Sequence, residues 1–297
     1  MRNVFADKKA ISVFVIPGLA IYLGIVIVPL IWSMYYSLFE GIPGQQFVFI
    51  GFDNYLRMFS DPYFLNSLIV TFRYVAIVGT GQVFFGAIAA LLIHYGTRGR
   101  SALARTLIFV PVVLPVVSVG QLWTKIYDIV PQYGLLNSLL DILSLDNLIK
   151  EWIGLSSTAL YALTAQDIWK GMGFYAIIFF AGLVDIPEDI LEAARIDGAD
   201  RLNTLRRIIL PLLKPVTATC LILSLSGTLK VFASAKALTR GGPGRATQMQ
   251  AMYMYDSAFT NLQYGYGSAI AIFILIEALI LTMVVRRIFR TKPEDVR

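Results

Sequence analysis

Five ionisable side chains interrupt stretches of the chain that are otherwise apolar. They are Arg73, Asp167, Lys170, Lys230 and Glu277. An Asp, Lys or Arg at the middle of a bilayer costs about 2.5 kcal/mol or more on insertion scales, so each of these side chains must face protein or water. They would either line a polar cavity or pair between helices. For Arg73 and Lys230, in the outer parts of their stretches, snorkelling toward the headgroups is favoured.

Asp167 and Lys170 have the most suggestive surroundings. They lie three residues apart, a spacing at which they can pair on one helix, and they flank Trp169. The glycine-containing run 171–173 would loosen the helix beyond them. An aromatic ring beside hydrogen-bonding groups suits the apolar face and the hydroxyls of a sugar, although packing is the alternative role for the tryptophan. Glu277 could line the same cavity or pair with Lys170.

Motifs for several other kinds of chemistry are missing from the sequence. It contains no GxxxxGK[ST] phosphate loop, no HExxH and no GxSxG. The single Cys220 excludes an internal disulfide and a cysteine metal cluster, and the single His94 excludes a histidine triad. An integral membrane enzyme is therefore the weaker alternative. A membrane scaffold, the other alternative, would not need charges inside its spans.

The elements that must position these residues are predicted to be membrane-spanning helices. Of the 297 residues, 57% are hydrophobic and 15% are charged, which is unlike a soluble domain. About twenty apolar residues in a helix cross the hydrocarbon core. The sequence therefore predicts an all-α polytopic membrane protein, a single domain over residues 1–297. We expect six spans, at about 11–39, 65–94, 106–124, 158–184, 208–235 and 265–285.

The net charge of +6 is explained by the membrane and does not indicate nucleic acid. Most of the 25 Lys and Arg residues fall in segments that share one side if both termini are cytoplasmic. Because cytoplasmic loops carry the excess of positive charge, this orientation is predicted. It also places the polar segment 185–214 in the cytoplasm.

Segment 185–214 is the most charge-dense part of the chain and is predicted to form two short helices joined by a glycine turn. Asp185 can cap the first helix, with Pro187 at its first position. Gly198 can supply a left-handed stop. Asp197 or Asp200 can start the second helix, which is amphipathic. From spacing alone, an ordinary solvated loop is an equal alternative.

Three motifs in this segment carry a resemblance to a known family. Glu192-Ala193-Ala194, Asp197-Gly198-Ala199 and Leu210-Pro211 match the EAA loop of the permease subunits of binding-protein-dependent ABC importers, in the variant of the carbohydrate-uptake group. Leu205 stands where that family usually has Phe. The stretch Leu238–Pro243 resembles the external loop of the maltose and glycerol-phosphate type of permease.

The resemblance implies a type I ABC importer permease fold, an inner-membrane location and transport of an oligosaccharide or related polyol. It implies four kinds of partner: a homologous but non-identical second permease, an ABC ATPase dimer, an extracytoplasmic solute-binding protein and the sugar itself. This chain would bind no cofactor, because ATP and Mg²⁺ belong to the ATPase. The implied ATPase-coupling residues are Glu192, Ala193, Ala194, Asp197, Gly198, Ala199, Leu205 and Pro211. The predicted substrate path contains Trp169, Lys170, Asp167 and Glu277.

Overall fold

The computed structural model describes residues 8–42, 44–96 and 101–289, and most of them are helical. In chain order the helices are α1 (Lys8–Tyr22), α2 (Val28–Tyr36), α3 (Asp53–Ser60), α4 (Pro62–Tyr74), α5 (Thr80–Gly96), α6 (Ser101–Val113), α7 (Val116–Tyr127), α8 (Leu135–Ile142), α9 (Ala159–Val184), α10 (Glu188–Ile196), α11 (Arg201–Thr204), α12 (Leu210–Leu212), α13 (Lys214–Thr228), α14 (Ala233–Leu238), α15 (Gln250–Tyr255) and α16 (Tyr264–Ile288). Wider π-helical turns connect α1 to α2, α4 to α5 and α11 to α12, at Leu23–Ile27, Val75–Gly79 and Leu205–Ile209.

Two short antiparallel strands stand apart from this helical pattern. They are β1 (Phe39–Gly41) and β2 (Phe47–Phe49), with Phe39 opposite Phe49. The ring of Phe39 stacks on that of Phe47 at 4.6 Å between centroids. The sequence predicted only a polar loop here, because three-residue strands are too short to show the alternation that identifies a strand.

Four continuous helical stretches among the described residues are long and apolar enough to cross a membrane. They are Ser12–Tyr36, Pro62–Gly96, Ala159–Val184 and Tyr264–Ile288. Two bent pairs, α6 with α7 and α11–α12 with α13, raise the number to six if each pair forms one span. The structure therefore supports four to six spans.

Proline accounts for both bends. The helix axes of α6 and α7 meet at 97°, and Pro115 lies between them. The stretch Arg201–Leu212 meets α13 at 60°, with Pro215 in the first turn of α13. Proline lacks an N–H and clashes with the preceding turn, so a helix ends or kinks before it. The predicted third span, 106–124, contains the first of these bends.

The chain divides into two compact units. The first comprises the described parts of Met1–Pro62 and Tyr253–Leu275. Within it, the Asp61 carboxylate accepts hydrogen bonds from the hydroxyls of Tyr253, at 2.5 Å, and Tyr266, at 2.7 Å. Burial, together with the hydrogen bond to Asp61, raises the pKa of Tyr253 to about 12, so this hydroxyl keeps its proton at neutral pH. The guanidinium of Arg57 lies over the Tyr266 ring at 4.5 Å.

The second unit comprises Tyr63–Met252 and the described part of Ile276–Arg297. Helix α9 is central to it and packs along α5 and α6. One apolar cluster forms around Leu163 and Met249, and another around Phe179 and Ile209. Both clusters draw on α9, so this helix connects the region around Asp167 to the polar segment that follows it.

Candidate functional site

A cavity of about 460 Å³ opens in the second unit beside the middle of α9. Its wall combines polar side chains from α4, α5, α9 and α13 with the turn between α13 and α14. The polar lining residues are Tyr74, Gln82, Asp167, Lys170, Tyr175, Ser224, Thr228, Lys230 and Ser234. Such a concentration of polar groups within helices of membrane-spanning composition identifies a water-accessible or ligand-accessible space.

Asp167 is held on the cavity wall by three donors from its own chain. Its Oδ2 accepts hydrogen bonds from the hydroxyl of Tyr74, at 2.5 Å, and that of Ser234, at 2.8 Å. Its Oδ1 accepts a longer bond, 3.3 Å, from Gln166. The residue is 6% exposed, and a buried carboxylate needs such partners. Asp167 therefore ties α4, α9 and the start of α14 together.

Gln82 makes a second cross-link next to this one. Its Nε2 donates to the main-chain carbonyl of Asp167 at 2.8 Å, and its Oε1 accepts from the Ser224 hydroxyl at 3.1 Å. These bonds join α5, α9 and α13. The side-chain amide is thus used at both ends and holds the cavity wall in place.

Lys170 lines the cavity but does not pair with Asp167. Within the described parts of the chain the one ion pair joins Lys125 to Asp128, so the expected pairing of Asp167 with Lys170 is absent. The ammonium of Lys170 instead lies 3.5 Å from the carbonyl oxygen of Val112. Tyr74 and Ser234, which are far from Asp167 in the sequence, donate to its carboxylate. They occupy the place that the spacing along α9 would assign to Lys170.

Trp169 and Glu277, the other two residues of the predicted path, do not line this cavity. Trp169 packs edge-on against Trp123, with ring centroids 5.7 Å apart, and is not among the residues that line the cavity. Glu277 is also outside the lining and lies near Gln250. Of the four predicted path residues, the structure brings Asp167 and Lys170 together at the cavity.

The glycines after Lys170 have a packing role. Helix α9 is continuous through them. A Cβ atom at Gly171 would overlap the Gln82 side chain, and one at Gly173 would overlap the carbonyl of Ile108. They permit close approach of α5 and α6 to α9 and do not loosen the helix as expected.

Sequence reasoning missed the uncharged polar residues of the cavity. Gln82, Ser224 and Thr228 lie in apolar helices, where an amide or hydroxyl must find a partner, and that rule could have identified them. Tyr74 and Ser234 carried less signal, because tyrosine is common near membrane interfaces and Ser234 lies at the end of the predicted fifth span. A search for charged residues alone was too narrow a criterion for finding the residues that line the cavity.

Two short helices and a glycine turn form residues 188–204 of segment 185–214, as predicted. Gly198 has φ +78°, the left-handed conformation that favours glycine. Asp200 caps α11, with Oδ1 accepting from the main-chain N–H of Asn203 at 2.7 Å. Asp185 does not cap α10: Pro187 occupies the cap position and makes no side-chain hydrogen bond. Proline fixes its own backbone angle, and the helix begins directly after it.

The EAA motif presents an exposed surface. Ala194 is buried against the helices behind it, whereas Glu192, Ala193, Asp197 and Gly198 are exposed. Two apolar side chains on this surface are also uncovered, Ile196 at 86% and Leu202 at 53% exposure. An exposed mixture of acidic and apolar groups is typical of a surface that meets another protein.

Leu205 lies at the base of this surface. It packs on the cluster that contains Ile209 and lines a second cavity, of about 640 Å³, with Tyr95, Arg195 and Arg201. Ala199 borders the same space, and Pro211 lies in α12 just beyond it. The EAA motif therefore packs on the helix bundle through apolar side chains such as Leu205, and its acidic residue, Glu192, is exposed to solvent.

The second unit therefore combines a charged cavity among helices of membrane-spanning composition with an exposed surface, and α9 joins the two. The model of the family "Binding-protein-dependent transport system inner membrane component" matches residues 82–292. A probable ABC transporter permease of Bacillus subtilis, YurN, is 35% identical over 95% of this chain and 96% of its own. The trehalose/maltose transport system permease MalF of Thermococcus litoralis is 33% identical over 98% and 97%.

Among solved structures, a chain of a bacterial importer of the acidic polysaccharide alginate has the same fold. It was solved in complex with an alginate pentasaccharide-bound periplasmic protein, and it matches with a TM-score of 0.82 at 22% identity, over 95% of this chain and 96% of that one. The chain described here belongs to the family of inner membrane components of binding-protein-dependent transport systems, the permeases of ABC transporters.

Proposed function

We propose that this chain is one of two permease subunits of an ATP-driven importer, and that it conducts a saccharide delivered by an extracytoplasmic binding protein. The cavity lined by Asp167 and Lys170 carries the proposal, because it is a polar space within helices whose outer surfaces are apolar. The saccharide class is supported by relatives such as the trehalose/maltose permease. The second permease is a homologous, non-identical chain.

In this proposal the substrate path passes Lys170, and Asp167 keeps the wall in shape. Trp169 and Glu277 support the path from outside the lining. Six spans result if each bent helix pair crosses the membrane once. With both termini in the cytoplasm, the positive-inside rule is satisfied and segment 185–214 faces the ATPase.

The exposed part of segment 185–214 is the proposed docking surface for an ABC ATPase dimer, which holds ATP and Mg²⁺. Glu192, Ala193, Asp197 and Gly198 meet the ATPase, while Ala194, Ala199, Leu205 and Pro211 hold the surface on the helix bundle. Because α9 runs from the cavity to this segment, a push on α10 moves the cavity wall. ATP-driven closure of the ATPase would in this way alternate the access of the cavity.

Charge reversal at Glu192 tests the docking surface. The side chain is exposed and makes no hydrogen bond or ion pair within the described residues. Glu192→Lys should therefore leave membrane insertion unchanged and lower substrate-stimulated ATP hydrolysis at least tenfold. Asp141→Lys, the same charge reversal at an exposed acidic residue of α8 outside the segment, is the matched control. Normal coupling in Glu192→Lys, or failure of the wild-type chain to co-purify an ATPase, would contradict the proposal.

A further inference from the structure

We infer that the cavity binds an anionic saccharide, one that carries a carboxylate, sulfonate or phosphate group, and that Lys170 contacts this group. The inference rests on the proposed function in one respect, that the cavity beside α9 is the substrate path. It adds the charge of the substrate, which neither the family nor the sequence determines.

The charge balance of the lining is the first support. Three side chains of the lining carry a formal charge: Asp167, Lys170 and Lys230. The single ion pair among the described residues lies elsewhere, between Lys125 and Asp128. Two cations and one anion leave the wall with a net positive charge. This net positive charge favours an anion over a neutral ligand, most strongly near Lys170, which is half-buried.

The hydrogen bonds of Asp167 are the second support. Both carboxylate oxygens already accept bonds from Tyr74, Ser234 and Gln166, and these donors hold the group against the wall. Asp167 is therefore committed to the structure and forms no ion pair with Lys170. The contact of Lys170 with the Val112 carbonyl, at 3.5 Å, lies at the outer limit for a hydrogen bond.

The remaining lining groups point the same way. A neutral sugar presents hydroxyls that donate and accept, so its site needs acceptors as well as donors. Here four hydroxyls of the lining donate within the protein, so their protons are used while their oxygens can still accept from the hydroxyls of a saccharide; these are Tyr74, Ser224, Thr228 and Ser234. The strongest donors left for a ligand are therefore the ammonium groups, and an acidic group, which only accepts, is matched to them. Lys230, which is exposed at the end of α13, provides a second cation along the same wall.

The test uses proteoliposomes that contain the complete importer and its binding protein, with matched neutral and anionic probes. Trehalose 6-phosphate is compared with trehalose, and digalacturonate and sulfoquinovosyl glycerol are compared with maltose. ATP-dependent uptake is measured for the wild type, Lys170→Gln and Lys170→Arg. Lys125→Gln is the control, since its ammonium is exposed and paired outside the cavity.

We expect uptake of at least one anionic probe, and the probe accepted identifies the acidic group. Lys170→Gln should reduce that uptake at least tenfold per assembled complex, and Lys170→Arg should restore most of it. Uptake of trehalose or maltose alone would overturn the inference and leave the proposed function standing. Equal uptake of an anionic probe by Lys170→Gln would overturn it too. Uptake of none of the five probes would contradict the proposed sugar import itself.

Discussion

The cavity beside α9 and the segment 185–214 are held together by opposite means. In the cavity, Asp167 accepts bonds from Tyr74 and Ser234, which are 93 and 67 residues away in the chain. In the segment, Asp200 caps a helix through Asn203, three residues on, and Gly198 supplies a local turn. The first region depends on the whole second unit being folded, whereas the second is organised by its own sequence.

This difference predicts how each region should respond to mutation. A change in the segment should disturb coupling while the helices remain folded, because few distant contacts depend on its exposed residues. A change in the hydrogen bonds of the cavity should reduce stability first, because several helices lose a common partner. The following predictions test this contrast, from the largest expected effect to the smallest.

Gly198→Val should have the largest functional effect. A β-branched residue at φ +78° is strained by about 1 kcal/mol or more, and the turn between α10 and α11 would change direction. Uptake and substrate-stimulated ATP hydrolysis should fall at least tenfold, with protein abundance near normal. Gly96→Val is the control, because a Cβ there has open space and no positive φ. If abundance falls as much as uptake, the segment contributes to folding as the cavity does, and the contrast between the two regions fails.

Asp167→Ala should have the largest effect on stability. It removes a carboxylate that accepts three hydrogen bonds and leaves the buried hydroxyls of Tyr74 and Ser234 without it, at a cost of about 2 kcal/mol. The thermal midpoint of the purified protein should drop clearly. Asp128→Ala, which breaks an exposed ion pair, should cost less than about 1 kcal/mol. Equal thermal midpoints for Asp167→Ala and Asp128→Ala would show that the hydrogen bonds of Asp167 do not stabilise the fold as proposed.

The same difference explains what the sequence could and could not predict. The turn at Gly198 and the cap at Asp200 follow from rules that act over three or four residues, so they were predicted correctly. The partner of Asp167 was not, because Lys170 is its neighbour along the helix while Tyr74 and Ser234 reach it through tertiary packing. The general position of the cavity followed from the cost of charge in a membrane, and its detailed lining required the fold.

Trp169→Ala should have a moderate effect and should resemble a packing change more than a loss of substrate contact. The indole packs against Trp123 outside the cavity lining, and such an aromatic pair contributes about 1 kcal/mol. Abundance and thermal midpoint should fall together, with uptake per assembled complex within twofold of the wild type. Trp169→Phe, which keeps a ring, should be nearly silent. A specific loss of uptake at normal abundance would instead place Trp169 on the substrate path.

Leu205→Phe should have the smallest effect and sharpens the comparison within the segment itself. Leu205 is partly buried, and the adjacent cavity of about 640 Å³ offers room for a larger ring. The free energy of unfolding should change by no more than about 0.5 kcal/mol. Substrate-stimulated ATP hydrolysis should stay within twofold of the wild type. Leu229→Phe is the matched control, because Leu229 is fully buried and lines none of the cavities described above. Overpacking there should cost about 1–3 kcal/mol. If Leu205→Phe is equally destabilising, the segment depends on tight tertiary packing, and the contrast between local and long-range organisation does not extend to its base.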